Sequence, residues 1–316
     1  MSAARIVAVV GATGHQGSGV VAALLSSTSF SVRALSSNLS GSRATSLLAL
    51  HDKYVKEGRL EVVKADLNDR ESLEKALKGT YGLFAAMAIA QNEVEQGKTL
   101  VDVAKGEGIK HFVYSSLPSI AKASGGKYTN VVPFEHKAQI EEYAKEKLDN
   151  VTILIAGAFY SNLYMPLYSR HDNIAIYNVV GSLDLHTGWL DDGKDVGTYA
   201  AAAFTKGPAA TAGKTYPLEA PRCTMKHIAA QYEAITGEKT TVQATEIDIA
   251  LTGFPEFLKP SLGEMFRFLN EIGPASICYG TMKPEDDKSF EDLGVKASSF
   301  QAFVERTGFR VGGDAK

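Results

Sequence analysis

Three glycines near the amino end carry the first chemistry, Gly11, Gly14 and Gly17 in a Gly-x-x-Gly-x-x-Gly spacing. Ile6 to Val10 before them is an unbroken apolar run, and Val20, Val21, Leu24 and Leu25 after them recur at helical spacing. The glycines therefore fall in a tight turn between a strand covered on both faces and a helix. In such a turn the first glycine permits the sharp exit from the strand. The second lets the backbone approach a pyrophosphate, and the third lets the helix pack closely on the sheet. Free amides and the positive end of the helix then hold the phosphate charge. The expected chemistry is dinucleotide binding, with Thr13, His15 and Gln16 completing the loop.

The second strand, read at Phe30 to Leu35, decides the cofactor. An NAD-preferring site places a carboxylate at the end of this strand for the adenosine ribose hydroxyls. Here the chain runs on through Ser36, Ser37 and Asn38 and offers no acid until Asp52. The missing carboxylate removes a repulsion against a 2′-phosphate, the three polar side chains can donate to it, and Arg43 or Arg33 can supply charge. The expectation is NADP (NADPH); the alternative is a solvated polar loop whose arginines bind nothing. A third strand, 60–67, ends at Asp66 and Leu67. Asp66 is read either as acceptor for the adenine amino group or as a helix cap. A fourth apolar strand, 81–90, runs into the small residues Ala85 and Ala86 beside Met87, where a cofactor can lie close to the backbone.

The elements that must position these residues alternate along the chain. A helix is expected over 70–77 and another over 93–107. A fifth strand, 109–116, ends in Ser115 and Ser116, a helix starts near Phe134, and a sixth strand covers 151–155. This alternation predicts an α/β fold, a doubly wound parallel Rossmann sheet with chemistry at the carboxyl ends of its strands. Residues 119–131, rich in Gly, Ser and Lys, read as a mobile loop over the site. A smaller α/β C-terminal lobe is expected to cover the open end of the sheet. The division is residues 1–157 with returning segments at roughly 180–230 for the NADP-binding domain, and 158–180 with 231–316 for the lobe. Residues 160–190 and 240–285 are rich in aromatics and Met, most of them read as core and a minority as pocket lining.

Bulk properties narrow the class. The chain has 316 residues, 45% hydrophobic and 22% charged, with a formal net charge of −3. It is long enough to bury a large core, and that charge offers no global basic field for direct nucleic-acid binding. No run approaches 18 apolar residues, so no membrane span is expected. The strand that begins by residue 6 leaves no room for a cleaved signal. Cys223 and Cys278 are the two cysteines, without metal-ligand spacing, which predicts no metal site and a reducing, cytoplasmic or nuclear location.

Several of these segments together resemble the NmrA-like branch of the atypical short-chain dehydrogenases. They are Gly11-Ala12-Thr13-Gly14-His15-Gln16-Gly17, Phe112 to Ser116, Phe134-Glu135-His136-Lys137 with Ile140-Glu141-Glu142-Tyr143, Ala158 to Leu163, and Gly253-Phe254-Pro255 with Met265 to Phe268. The resemblance implies a Rossmann domain with a small lobe and NADP across the cleft, contacted further by Ser115, Ala158, Phe159 and Asn162. It also implies two possible trades. Some members are redox-sensing regulators with protein partners, and others, in the neighbouring isoflavone-reductase branch, are NADPH-dependent reductases.

Typical short-chain dehydrogenases use a Tyr-x-x-x-Lys pair, in which the lysine lowers the phenol pKa. Lys137 is present here, but Pro133 stands four residues before it and Phe134 three before, so the ordinary alcohol dehydrogenase mechanism is not expected. The resemblance gives Lys137 either cofactor positioning or proton shuttling, with a plain surface lysine as the third reading, and the neighbouring His136 reads as a surface residue. Tyr128 and Tyr160 are the candidates for a replacement phenol. Ser116, Tyr128, Tyr160, Trp189, Phe254, Met265 and Phe268 are the candidate substrate-pocket residues. One reading is a reductase of an activated C=C or C=N bond in a small apolar substrate, acting as monomer or homodimer. The other is a non-catalytic NADP(H) sensor working through a protein partner.

Overall fold

The computed structural model describes residues 5–272 and 276–313. The amino-terminal part alternates strands β1 Ile6–Val10, β2 Ser31–Ser36, β3 Leu60–Lys64, β4 Gly82–Ala85, β5 His111–Ser116 and β6 Val151–Ala156 with helices. The helices are α1 His15–Ser27, α2 Ser42–Leu50, α3 Arg70–Leu77, α4 Glu93–Gly106 and α5 Val132–Lys147. Beyond them come β7 Tyr168–His171, β8 Ile174–Val180, α6 Asp195–Lys206, β9 Thr215–Leu218, α7 Met225–Thr236, β10 Lys239–Thr245, α8 Lys259–Glu271 and α9 Phe300–Thr307.

The central sheet has seven parallel strands in the order β9-β6-β5-β4-β1-β2-β3. The order reverses between β1 and β4, which opens a crevice at their carboxyl ends. Along β1 the side chains alternate between two cores. Val7 and Val9 face α1 and α6, while Ala8 and Val10 face α3, α4 and α5. Burial on both faces is the reason these strands read as continuous apolar runs. α1 and α6 touch backbone to backbone: a Cβ at Gly197 would lie 2.1 Å from the Gly19 carbonyl oxygen, and one at Gly19 2.5 Å from that of Gly193. Thus α6 and β9, distant in sequence, complete the sheet and its helical cover.

A three-stranded sheet forms the smaller lobe, with β8 antiparallel to β7 and parallel to β10. Tyr160, Tyr177, Trp189, Tyr232, Phe300, Phe303 and Phe309 fill its core, to which α7 and α9 contribute. Two local expectations are corrected. The β4 ladder stops at Ala85 rather than running to residue 90, because the chain bends over the glycine turn after a last amide contact from Ala86 to the Val10 carbonyl. Residues 119–131 are not a loose loop. They include a short helix, Ile120–Ala123, which the Glu135 carboxylate clamps by accepting from Ser119 Oγ at 2.7 Å and the Ala121 amide at 2.9 Å. Farther along, Tyr128 donates to Glu271 at 2.6 Å and the Asn130 amide to Glu264 at 2.8 Å, so α8 holds the segment's other end.

Candidate cofactor and substrate cleft

The glycine turn has the form its residue types require. Gly11 adopts φ +76°, and a Cβ there would meet the Ala86 carbonyl oxygen at 2.6 Å. At Gly17 a Cβ would stand 2.1 Å from the Gly11 oxygen, so α1 reaches the sheet only with glycine at this position. Gly14 is the N-cap, in extended conformation, with no side chain capping the helix and no acid in its first turn. The amides that begin a helix have no partner within it, so those of His15, Gln16 and Gly17 are free to bind an anion. Two side chains brace the turn. Ser115 Oγ donates to Gln16 Oε1 at 2.6 Å, tying β5 to α1, and His15 Nδ1 lies 3.1 Å from the buried Asp192. Thr13, beside Gly14, is half-buried. An uncapped helix end with no acid in its first turn, closed by Gly11 and Gly17, which no larger residue can replace, fits a dinucleotide pyrophosphate.

At the adenosine end the structure separates the two arginines. Arg33 is already committed, donating to Glu61 at 2.6 Å and to the Ala76 and Lys78 carbonyls, each at 2.9 Å. It does not reach the loop after β2. Arg43 lies exposed in the first turn of α2, whose N-cap, Gly41, provides no side-chain oxygen. Ser36 and Asn38 fold that loop back on itself through Ser36 Oγ, while Ser37 is exposed. Asp66 is not the helix cap. Asp69 caps α3 by accepting from Ser72, and Asp66 closes a turn onto the Asn68 amide at 2.9 Å. Leu67, half-buried, packs on the core beside Ala85 and Met87.

Lys137 sits 8% exposed on α5 and donates to Glu93 Oε1 at 2.6 Å. Glu93 is completely buried at the start of α4. Its other oxygen, Oε2, makes no hydrogen bond and faces His136 Nδ1 at 3.5 Å. His136 is therefore no surface residue: its ring is turned inward and its side chain is 20% exposed. Ser116 Oγ satisfies the carbonyls of Leu117 and Lys137 at 3.4 Å. Sequence reasoning missed Glu93 altogether, since an acid in the first turn of a helix reads as a favourable dipole contact.

Beside this cluster lies an apolar cavity of about 320 Å³. Pro133 and Phe134, one turn before Lys137, form part of its wall. Ala158 and Asn162, read as cofactor contacts, line it together with the pocket candidates Trp189, Phe254 and Met265, joined by Ile89, Met165, Leu185 and Met225. Four pocket candidates are placed elsewhere, Ser116, already described, among them. Tyr160, 2% exposed, stacks on Trp189 at 5.9 Å and 3°, with Phe300 and Phe303 each at 5.3 Å. Burial raises its pKa far above the ordinary phenol value, and its hydroxyl faces the Ser298 carbonyl. It belongs to the lobe core and does not line the cavity. Tyr128 and Phe268 pack edge to face at 6.1 Å in a separate cluster under residues 119–131. Phe159 pairs with Leu190 in a two-residue ladder at the cavity's edge.

Residues 3–297 match the NmrA-like family. An NmrA-like oxidoreductase, FrzB, from a Cladobotryum species is 38% identical over 150 residues, which span 45% of this chain and 42% of that protein. A Dictyostelium discoideum NmrA-like domain protein is 27% identical over 96% of this chain and 98% of its own length. Among solved structures, that of NmrA, a negative transcriptional regulator, in complex with NADP superposes with a TM-score of 0.74 at 22% identity, covering 97% of this chain and 92% of that one. With the fold, the glycine turn and a match over nearly its whole length, the chain belongs to the NmrA-like family.

Proposed function

We propose that this protein binds NADPH across the carboxyl ends of β2, β1, β4 and β5 and uses it to reduce an activated C=C or C=N bond of a small, largely apolar substrate. The observation that carries this reading is the apolar cavity whose wall includes Pro133 and Phe134, one helical turn before the buried Lys137 on α5. Its volume, about 320 Å³, suits one small molecule. The pyrophosphate would rest on the amides of residues 15–17, and the 2′-phosphate on Ser36, Ser37, Asn38 and Arg43. Asp66 would accept from the adenine with the oxygen its turn leaves free. Ala85, Ala86 and Met87 would floor the cleft, Ser115 would hold it through Gln16, and Ala158, Phe159 and Asn162 would close its nicotinamide end.

Bound NADPH supplies the hydride. The chain's own residues would line an apolar cavity and hold an ammonium, Lys137 Nζ, one helical turn from its wall as the proton source. No tyrosine stands in step with that lysine on α5, because Pro133 and Phe134 occupy the positions four and three before it. Such a site suits acceptors that need little acid assistance: an iminium already carries the charge, and an enone can take its proton from Lys137 or water. The reductase class agrees with the naming of the Cladobotryum relative, and the cofactor class with the NADP complex of NmrA.

The same lack of a paired tyrosine favours a second reading, an NADP(H) sensor that acts through a protein partner. Against it, residues 119–131 are already tied down by Glu135, Glu264 and Glu271, which leaves little for a cofactor to order. Fluorescence titration with NADPH and NADH, then NADPH oxidation against enones, quinones and cyclic imines, tests both. Tight NADPH binding with turnover that collapses in Lys137→Ala is expected. Tight binding without turnover on every acceptor would transfer the assignment to the sensor.

A further inference from the structure

Glu93, His136 and Lys137 form a cluster whose geometry exceeds what an ion pair needs. Glu93 is fully buried, yet only one of its oxygens is used, by Lys137 at 2.6 Å. The other is orphaned and faces His136 Nδ1, itself without a partner, at 3.5 Å. A buried carboxylate oxygen left unbonded is costly, and a small rotation of the imidazole closes the gap. Lys137 is nearly sealed, while the His136 side chain keeps 20% of its surface in solvent. The three groups thus run from the sealed lysine through both oxygens of one carboxylate to the outside.

We propose that Glu93 and His136 are a proton relay that returns a proton to Lys137 from solvent; the inference rests on the reductase reading of Lys137. Reduction of the C=C bond consumes one hydride, from NADPH, and one proton. When the Lys137 ammonium gives that proton to the carbon bearing the developing negative charge, it is left as an amine. The His136 imidazolium then passes its Nδ1 proton to Glu93 Oε2, and the carboxylic acid so formed rotates to give that same proton to Lys137 Nζ. The imidazole recovers a proton from water, and the carboxylate ends as it began.

Other titratable groups facing the cluster do not short-circuit this path. Tyr114 of β5, buried with its hydroxyl unpartnered, has its pKa raised well above the ordinary phenol value by burial and by the nearby Glu93 and Glu141 charges, so it stays protonated. Glu141, one turn beyond Lys137 on α5, is taken up by Lys145 at 2.6 Å.

His136→Ala tests the relay kinetically. It leaves the Lys137–Glu93 pair untouched, so NADPH affinity and the first turnover should match wild type. Steady-state turnover should fall about 10²-fold, the solvent isotope effect should rise, and added imidazole should restore the rate. Wild-type steady-state turnover in His136→Ala, or a loss that imidazole does not rescue, overturns the proposal. A second arm needs no substrate. In the apo protein, the ¹⁵N signals of the His136 ring should change in Glu93→Gln, with circular dichroism confirming the fold. Identical ring spectra would overturn the relay whatever the turnover. Coupled spectra in a protein that reduces no acceptor would overturn the reductase reading, and with it the relay's catalytic purpose.

Discussion

Replacing Arg43 with Ala separates a phosphate-reading arginine from a solvated one. Arg43 is exposed in the first turn of α2, beside a helix start that no side chain caps. The charge there is available to the extra phosphate of NADPH and has nothing to meet on NADH. A hydrogen bond to a charged group contributes about 1.5–3 kcal/mol. Because this site is open to water and salt, the lower end applies, which is about tenfold in Kd. The expected result is NADPH binding weakened about tenfold and diminishing further in sensitivity as salt is raised, with NADH binding unchanged. Stability should stay within about 0.5 kcal/mol of wild type. Arg33→Ala is the control. It removes donors to Glu61 and to the Ala76 and Lys78 carbonyls, so it should cost about 1–3 kcal/mol of stability while weakening both cofactors alike. Isothermal titration with both nucleotides and urea unfolding of both variants decide it. Equal loss of NADPH and NADH binding in Arg43→Ala, or NADPH-selective loss in Arg33→Ala, would refute the assignment.

Lys137→Met should destabilise the apo protein by about 3–5 kcal/mol, since it strands the fully buried Glu93 without its cation. Adding Glu93→Gln should recover much of that loss in urea melts; a Lys137→Met protein as stable as wild type would show that Glu93 is not charged there. His111, buried between β6 and Thr211, has its pKa lowered by desolvation to about 4, while its ring accepts or donates to the Thr152 and Thr211 hydroxyls. The folded value lies below the unfolded one, so the neutral ring's contribution is fully present above pH 6.5 and is lost as pH falls toward 4. The shift corresponds to on the order of 3 kcal/mol. His111→Gln should flatten this part of the stability–pH curve, and an unchanged slope between pH 6.5 and 4 would remove His111 as its source.

The local part of the fold was legible in sequence because its determinants are local. Gly11, Gly14 and Gly17 sit between a run of strand residues and a helical repeat, and Gly11 and Gly17 are required by a backbone approach within a few residues or one strand away. The same holds for α3, bounded at Asp69 by a cap that a neighbouring side-chain oxygen supplies. Aromatic residues were a poorer guide. Tyr160 and Met165 lie five positions apart in one aromatic-rich stretch, yet one is core and the other rims the cavity. Which of them meets solvent depends on how Phe300 and Phe303 of α9 pack, and those residues come 140 positions later.

By itself, the sequence determined the parallel sheet, the anion-binding turn and the absence of a tyrosine in step with Lys137, because strand periodicity, glycine geometry and helical spacing act over short stretches of chain. Only the tertiary structure decided what Lys137 touches. Glu93 lies 44 residues away on another helix, and no periodicity links the two. Burial, which makes that pair matter, arises only when α4 and α5 are pressed together on one face of the sheet and water is excluded from between them.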